Sequence, residues 1–167
     1  YTLELGILKI TAQIAPIDLE GLTAKLYFKN QGEWKESQSS EVAELSRTAH
    51  FRVEDWKHTE AVDFRVDLFI PGRNIEGSST YSYEGSIAAE PLDKEEIVAL
   101  AMSCNGDFGF PDQDIVKHAS YHKADVVLFL GDQIYEGNGG YGVQNNPPYL
   151  RADLDFMRKW ILFGWSY

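Results

Sequence analysis

The stretch ADVVLFLGDQIYEG, residues 124–137, runs from a mostly apolar segment into a turn that carries an aspartate, a tyrosine and a glutamate. A short continuous apolar run bounded by a turn is typical of a strand in a parallel sheet that is buried on both faces. A second run of this kind, IVALAMSC at 97–104, ends on Cys104. Between the two runs, residues 112–123 carry apolar side chains at helical spacing behind an Asp/Pro start signal. A right-handed crossover in this β-α-β order predicts two parallel strands.

Downstream of the turn, residues 148–165 predict a second helix. Its apolar side chains recur at helical spacing: Leu150, Leu154, Met157 and Ile161. Residues 93–167 are therefore expected to form the first β-α-β-α portion of an α/β domain.

Residues 1–92 follow a different pattern, with short segments of period two separated by breaks rich in Gly, Pro and Asn. We read 36–46 as a loop or a short helical turn, and 71–79 as a turn-rich break. Short strands at regular spacing predict an antiparallel β-sandwich of immunoglobulin or fibronectin III type. The predicted strands are 2–14, 22–30, 47–56, 61–70 and 80–88.

Charge and composition exclude several classes of function. The 167 residues include 26 acidic and 15 basic side chains, for a net charge of −11, so binding to nucleic acid backbones or anionic membranes is not expected. No apolar stretch reaches the roughly 20 residues that span a bilayer. The only cysteine is Cys104, which rules out an intrachain disulfide.

The two ends of the sequence predict a piece of a longer protein. The chain begins at Tyr1 rather than at a methionine, and it ends on the aromatic segment RKWILFGWSY at 158–167. Natural termini are usually more polar than this, so we expect further sequence beyond it.

Candidate metal ligands follow both predicted parallel strands. Ligands of parallel sheets bind beyond the carboxyl ends of the strands, and these ends carry Cys104 and Asp132, with Tyr135 on the turn beyond. Thiolate, carboxylate and phenolate together suit a transition metal better than calcium alone. The alternative is purely structural, because a single buried cysteine often serves as a small apolar residue and Gly-Asp is a common turn. His118 and His122 have the spacing of a zinc pair, but they lack a glutamate and lie on the connecting helix.

The segments SCNGDFG (103–109) and ADVVLFLGDQIYEG (124–137) together resemble the alkaline phosphatase D family of metallophosphoesterases. In that family a cysteine ends the first strand, and Gly-Asp-x-x-Tyr-Glu follows the second. The resemblance implies that Cys104, Asp132 and Tyr135 are ligands in a two-metal centre that holds iron (Fe³⁺) and a second divalent ion, Ca²⁺. It also implies an N-terminal β-sandwich before a calcineurin-like α/β domain, and a periplasmic or secreted location.

The activity implied by the resemblance is hydrolysis of a small phosphate ester, either a monoester or a diester. Most calcineurin-like enzymes carry Asp-x-His at the first strand, where this chain has Ser-Cys-Asn, which points to the cysteine-bearing branch. The family's later ligands have no counterpart in the sequence, so the remainder of the same polypeptide is an expected partner. The 167 residues alone are expected to be inactive. The alternative is a non-catalytic β-sandwich interaction module with a degenerate α/β appendage.

Overall fold

The computed structural model describes residues 1–17, 21–71, 79–106, 110–138 and 150–167. For residues 150 and 151 it describes the backbone and not the side chains. The chain divides into two compact units, which we call the N-terminal unit (Tyr1–Glu90) and the C-terminal unit (Pro91–Tyr167). The sequence pattern had suggested a change of architecture at residues 92 and 93.

The described residues of the N-terminal unit form two antiparallel sheets, in agreement with the predicted β-sandwich. One sheet has the order β1-β2-β5 and the other the order β4-β3-β6-β7. The strands are β1 (Thr2–Glu4), β2 (Ile7–Gln13), β3 (Thr23–Asn30), β4 (Glu33–Glu41), β5 (Thr48–Val53), β6 (Val62–Ile70) and β7 (Ser79–Ile87).

Alternation along the strands builds the core of this unit. In β2, Leu8 and Ile10 are buried while Lys9 between them is exposed, and β3 repeats this with Ala24 and Leu26. Each large aliphatic side chain removed from water stabilises the fold by about 1.5–3 kcal/mol. Both sheets contribute to one cluster, whose members are Leu8, Ile10, Ile14, Leu22, Ala24, Leu26, Ala49, Phe51, Phe64, Val66, Leu68 and Ile87.

The prediction of a single strand over 2–14 was wrong, because a tight turn divides it into β1 and β2. Leu5 and Gly6 both have positive φ, 50° and 73°, and Leu3 pairs with Leu8 across the hairpin. Tight hairpin turns need left-handed residues and usually contain Asn, Asp or Gly. Leu5 occupies the first of these two positions, where a leucine is not a recognisable turn signal.

The prediction of a loop or helical turn at 36–46 was also wrong for most of its length, because β4 covers Glu33–Glu41. This strand lies at the edge of its sheet and has no apolar alternation. Its polar side chains instead bind the backbone of β5: Gln38 Nε2 donates to Arg52 O at 2.6 Å, and the His50 amide donates to Ser40 Oγ at 3.2 Å. Hydrogen bonding of this kind leaves no hydrophobic pattern in the sequence.

The C-terminal unit contains the predicted β-α-β order. Its elements are β8 (Ala99–Met102), α1 (Gln113–Ser120), β9 (Val126–Phe129) and α2 (Leu150–Ser166). Strands β8 and β9 pair in parallel, from Ala99 opposite Val126 to Met102 opposite Phe129. Parallel pairing brings the carboxyl ends of both strands to the same edge of the sheet.

The expectation that these strands are buried on both faces was wrong for the described residues. All four side chains of β9 are exposed, Val127 by 46%. The physical reason is that the described sheet has only two strands, so few elements are available to cover it. Parts of three predicted features lie outside the described residues: 72–78 of the turn-rich break, 107–109 of the SCNGDFG segment, and 148–149 of the second predicted helix.

Helix α2 buries a different face from the one its apolar spacing predicted. Leu154 is 54% exposed, and the side chain of Leu150 lies outside the description. The buried residues are Asp155, Lys159, Phe163 and Ser166, of which the first three are spaced four apart. Phe163 packs edge-on against Phe129 of β9, with ring centroids 5.0 Å apart. Among the described helices, none is long and apolar enough to cross a membrane.

Candidate metal centre

Backbone hydrogen bonds continue past the ends of β8 and β9 and hold the two following turns together. The Cys104 amide donates to Gly131 O at 3.2 Å, and the Asn105 amide donates to Asp132 O at 2.8 Å. The segments after both strands therefore run side by side, and they carry two of the predicted ligands to the same place.

Both of these ligands have an unusual backbone conformation. Cys104 has φ of 60° and Asp132 has φ of 51°, in the left-handed region that is uncommon for residues with a Cβ atom. Such conformations cost on the order of 1 kcal/mol or more and persist where the surrounding structure holds them. Here the amide of Cys104 and the carbonyl of Asp132 both take part in the hydrogen bonds between the two turns.

The side chains of the three predicted ligands meet at one carboxylate oxygen. Asp132 Oδ2 lies 3.8 Å from Cys104 Sγ and accepts a hydrogen bond from the Tyr135 hydroxyl at 3.1 Å. Cys104 and Asp132 are exposed and Tyr135 is half-buried. We call these three residues the ligand cluster. Its exposure leaves it accessible to an ion from solvent.

Crowding in the ligand cluster raises the pKa of Tyr135 to about 12. The causes are the neighbouring Cys104 side chain, burial of the phenol, and Asp132. The neighbouring Cys104 and Asp132 side chains oppose ionisation of the phenol, whereas a bound cation favours it. The chemistry of this donor set, one soft sulfur and two oxygens, fits the iron implied by the resemblance.

The ligand cluster has fewer donors than a complete two-metal centre needs. Within the described residues, no group of three or more His, Cys, Asp and Glu side chains could hold a metal, and the cluster reaches three donors only through the phenol of Tyr135. His118 and His122 do not form the helical pair that their spacing suggested, because α1 ends at Ser120. His118 instead lies edge-on to the ring of Tyr121, at 5.9 Å.

Lys159 is a residue of this site that the sequence analysis missed. Its side chain is fully buried, and Nζ donates to the carbonyl oxygens of Tyr135 at 2.7 Å and Glu136 at 3.2 Å. It also pairs with Asp155 Oδ2 at 3.0 Å. Burial alone would raise the pKa of Asp155, but Lys159 and Arg158 together lower it. The spacing of four between Asp155 and Lys159 predicts an ion pair on one helical face. It does not predict that the pair is buried.

Tyr167 makes a second polar contact between the end of the chain and the site. Its hydroxyl lies 2.9 Å from Asp112 Oδ2 and 3.1 Å from Asn105 Oδ1. Burial and the Asp112 carboxylate raise the pKa of Tyr167 to about 12. A phenol has one proton and donates to one of these acceptors at a time. Asn105 is buried, and its Nδ2 has no hydrogen-bond partner among the described residues.

Comparison of the chain with protein-family models, with curated proteins and with solved structures found no match in any of the three.

Proposed function

We propose that this chain is part of a metal-dependent hydrolase of phosphate esters and supplies one part of its two-metal centre. The observation that supports the proposal is the meeting of Cys104 Sγ, Asp132 Oδ2 and the Tyr135 hydroxyl beyond the carboxyl ends of two parallel strands. This is the edge at which parallel sheets bind ligands. An immunoglobulin or fibronectin III type for the sandwich and a calcineurin-like type for the C-terminal unit belong to the same proposal.

Each residue of the ligand cluster has a distinct role in this proposal. Cys104 and Tyr135 would hold iron, because thiolate and phenolate are the donors that favour it. Asp132 would help to hold both the iron and a second ion, the divalent Ca²⁺, since a carboxylate has two oxygens to share. When bound, the ions supply positive charge that stabilises the transition state at phosphorus. Further ligands would come from residues outside the ligand cluster.

The substrate class follows from charge. The net charge of −11 repels long polyanions at the general surface, and it acts against a small ester as well. Positive ions at the site reverse that field locally. A small phosphate monoester or diester therefore suits the protein better than a nucleic acid.

Metal content and hydrolysis test this proposal directly in the full natural protein. We expect tightly bound iron, most of which is lost in the Cys104→Ala variant, and turnover of a chromogenic phosphate monoester or diester that is lost in Asp132→Asn. The matched control is Asp114→Asn, which removes the same charge from an exposed position on α1. Unchanged iron content in Cys104→Ala would contradict the assignment.

A second candidate function is a non-catalytic interaction module built on the sandwich. The observation that favours it is an aromatic pair on β7. Tyr81 and Tyr83 pair across from Leu68 and Val66, whose side chains are buried, yet they are 61% and 70% exposed. A parent protein that binds no iron and hydrolyses neither ester, together with a ligand that protects these tyrosines from chemical modification, would favour this function.

A further inference from the structure

Lys159 lies in an environment that is costly for a charged side chain. Its exposure is 0%, and removing an ammonium group from water costs several kcal/mol unless the charge is paired and each proton has an acceptor. Both conditions hold here. The three ammonium protons face three acceptors: the Asp155 carboxylate and the carbonyl oxygens of Tyr135 and Glu136.

Apolar side chains also hold α2 against its neighbours. Phe163, on the same face of the helix, packs against Phe129 at 5.0 Å and Phe110 at 6.1 Å between ring centroids, and apolar contacts of this kind suffice to bury a helix. A methionine at position 159 would fill similar space without a charge. What the lysine adds is two hydrogen bonds to the backbone of the turn that carries Tyr135.

We propose that Lys159 is a positioning residue, held by Asp155, which fixes the turn at Tyr135 and Glu136 so that the Tyr135 hydroxyl reaches Asp132. The contacts run in an unbroken series from Asp155 through Lys159 to the Tyr135 carbonyl, and from the Tyr135 hydroxyl to Asp132 at 3.1 Å. Loss of the ammonium group frees both carbonyls and lets the phenol leave the ligand cluster. The consequence for iron binding rests on the proposed function, whereas the consequence for the turn does not.

The first measurement uses the metal-free chain and hydrogen–deuterium exchange. In Lys159→Met, we expect the amide of Asn138, which donates to the Tyr135 carbonyl at 3.4 Å, to exchange about tenfold faster or more, which corresponds to roughly 1.4 kcal/mol of lost local order. The double variant Lys159→Met/Asp155→Asn removes the buried carboxylate charge as well, in case the single variant does not fold. Lys117→Met, an exposed lysine of α1, is the matched control. Parent-like exchange in the folded variants would overturn the proposal.

Tyr167→Phe is a second control, because it removes a half-buried contact of the same chain end to the other turn, at Asn105. We expect it to speed exchange near Asn105 and to leave Asn138 as in the parent. Equal acceleration at Asn138 in Tyr167→Phe and Lys159→Met would mean that any loosening of this chain end has the same effect, which would also overturn a specific role for Lys159.

The second measurement uses the iron-loaded protein and the visible absorption of an iron-bound phenolate. In Lys159→Met we expect this band to shift or weaken, while Lys117→Met keeps the parent spectrum. A coloured parent whose band and exchange rates survive Lys159→Met would overturn the positioning role and leave the proposed function intact. A colourless parent would count against the proposed function, and the exchange experiment would still decide the role of Lys159.

Discussion

At the scale of single residues, visible absorption can test whether Tyr135 binds a metal or only packs. The phenol of Tyr135 meets Asp132 at 3.1 Å, and its neighbours hold its pKa at about 12, so without a cation it stays protonated at neutral pH. A phenolate on ferric iron absorbs visible light, whereas a tyrosine that only packs is colourless. A thiolate on ferric iron absorbs as well, so the phenolate contribution to the colour, rather than the colour as a whole, reports on this side chain.

We expect Tyr135→Phe to remove the phenolate contribution to the visible absorption of the iron-loaded protein, to leave any contribution of the Cys104 thiolate, and to keep the fold intact, because the substitution removes one hydroxyl from a half-buried ring. Absorption spectra of the parent and the variant at equal iron content measure the effect, and circular dichroism checks the fold. Tyr121→Phe, at an exposed position beyond α1, is the control. A band of undiminished intensity in Tyr135→Phe would exclude Tyr135 as a ligand.

At the scale of elements, the pairing of β6 with β7 depends on a glycine. Gly85 lies opposite Phe64, whose ring is part of the buried core. A Cβ atom at position 85 would come within 2.7 Å of Phe64 Cε1 and 2.8 Å of Cζ, closer than carbon atoms approach. The Phe64 ring therefore packs against the backbone of β7 at Gly85, in the space that a side chain would otherwise fill.

We expect Gly85→Ala to lower the free energy of unfolding of the N-terminal unit by about 1–3 kcal/mol, the usual range for overpacking a core. Gly164→Ala is the contrasting variant. It lies in α2 with open space around the added Cβ and should stabilise the helix by about 0.5–1 kcal/mol. Urea denaturation measures both variants. A neutral Gly85→Ala would mean that the Phe64 ring moves aside without cost.

A second feature at the scale of elements is the pair of hydrogen bonds by which Asp125, at the start of β9, contacts the segment before β8. Its carboxylate accepts hydrogen bonds from Lys94 and from the Val98 amide, the latter at 3.0 Å. These two donors lower the pKa of Asp125 below its ordinary value. A lowered pKa means that the folded state favours the ionised carboxylate.

We expect Asp125→Asn to lower the thermal midpoint of the C-terminal unit at neutral pH. The stabilisation from Asp125 is fully present above the ordinary pKa of about 3.9, and it disappears as the pH falls through the lowered folded value. The difference between parent and variant should therefore shrink on acidification. Helical circular dichroism during heating, from neutral pH to about pH 3, measures the midpoints. A difference that is independent of pH would show that the effect is not due to ionisation.

At the scale of the whole molecule, the net charge of −11 predicts that the protein does not bind nucleic acids. We expect no shift of duplex DNA or single-stranded RNA in gel assays, at about 150 mM salt and also at about 50 mM, where screening is weaker. The physical reason is that few phosphate contacts are available to release counterions. Salt-dependent binding to either nucleic acid would contradict this expectation and would reopen nucleic acids as substrates.

The sequence by itself determined what is local. Alternation of apolar and polar residues identified β5 and β6, because a strand with one buried face repeats every two residues. The turn-rich breaks around 22–30 and 80–88 identified β3 and β7. The order of apolar run, helix and apolar run identified the parallel pair of the C-terminal unit, since antiparallel strands need no such crossover. The residues of the ligand cluster were also visible, because a thiol, a carboxylate and a phenol just beyond two predicted strands are chemically conspicuous.

Only the tertiary structure decided what depends on contacts between distant residues. It showed β4 as a strand, because its partners are β3 and the backbone of β5 rather than an apolar face of its own. It showed β9 exposed and β8 only half-buried, because burial is a property of what covers a strand. It placed Lys159 in the interior against the turn of Tyr135, 24 residues earlier in the chain. A lysine in a sequence predicts an exposed residue, and only the three acceptors that the fold gathers around this one make its burial possible.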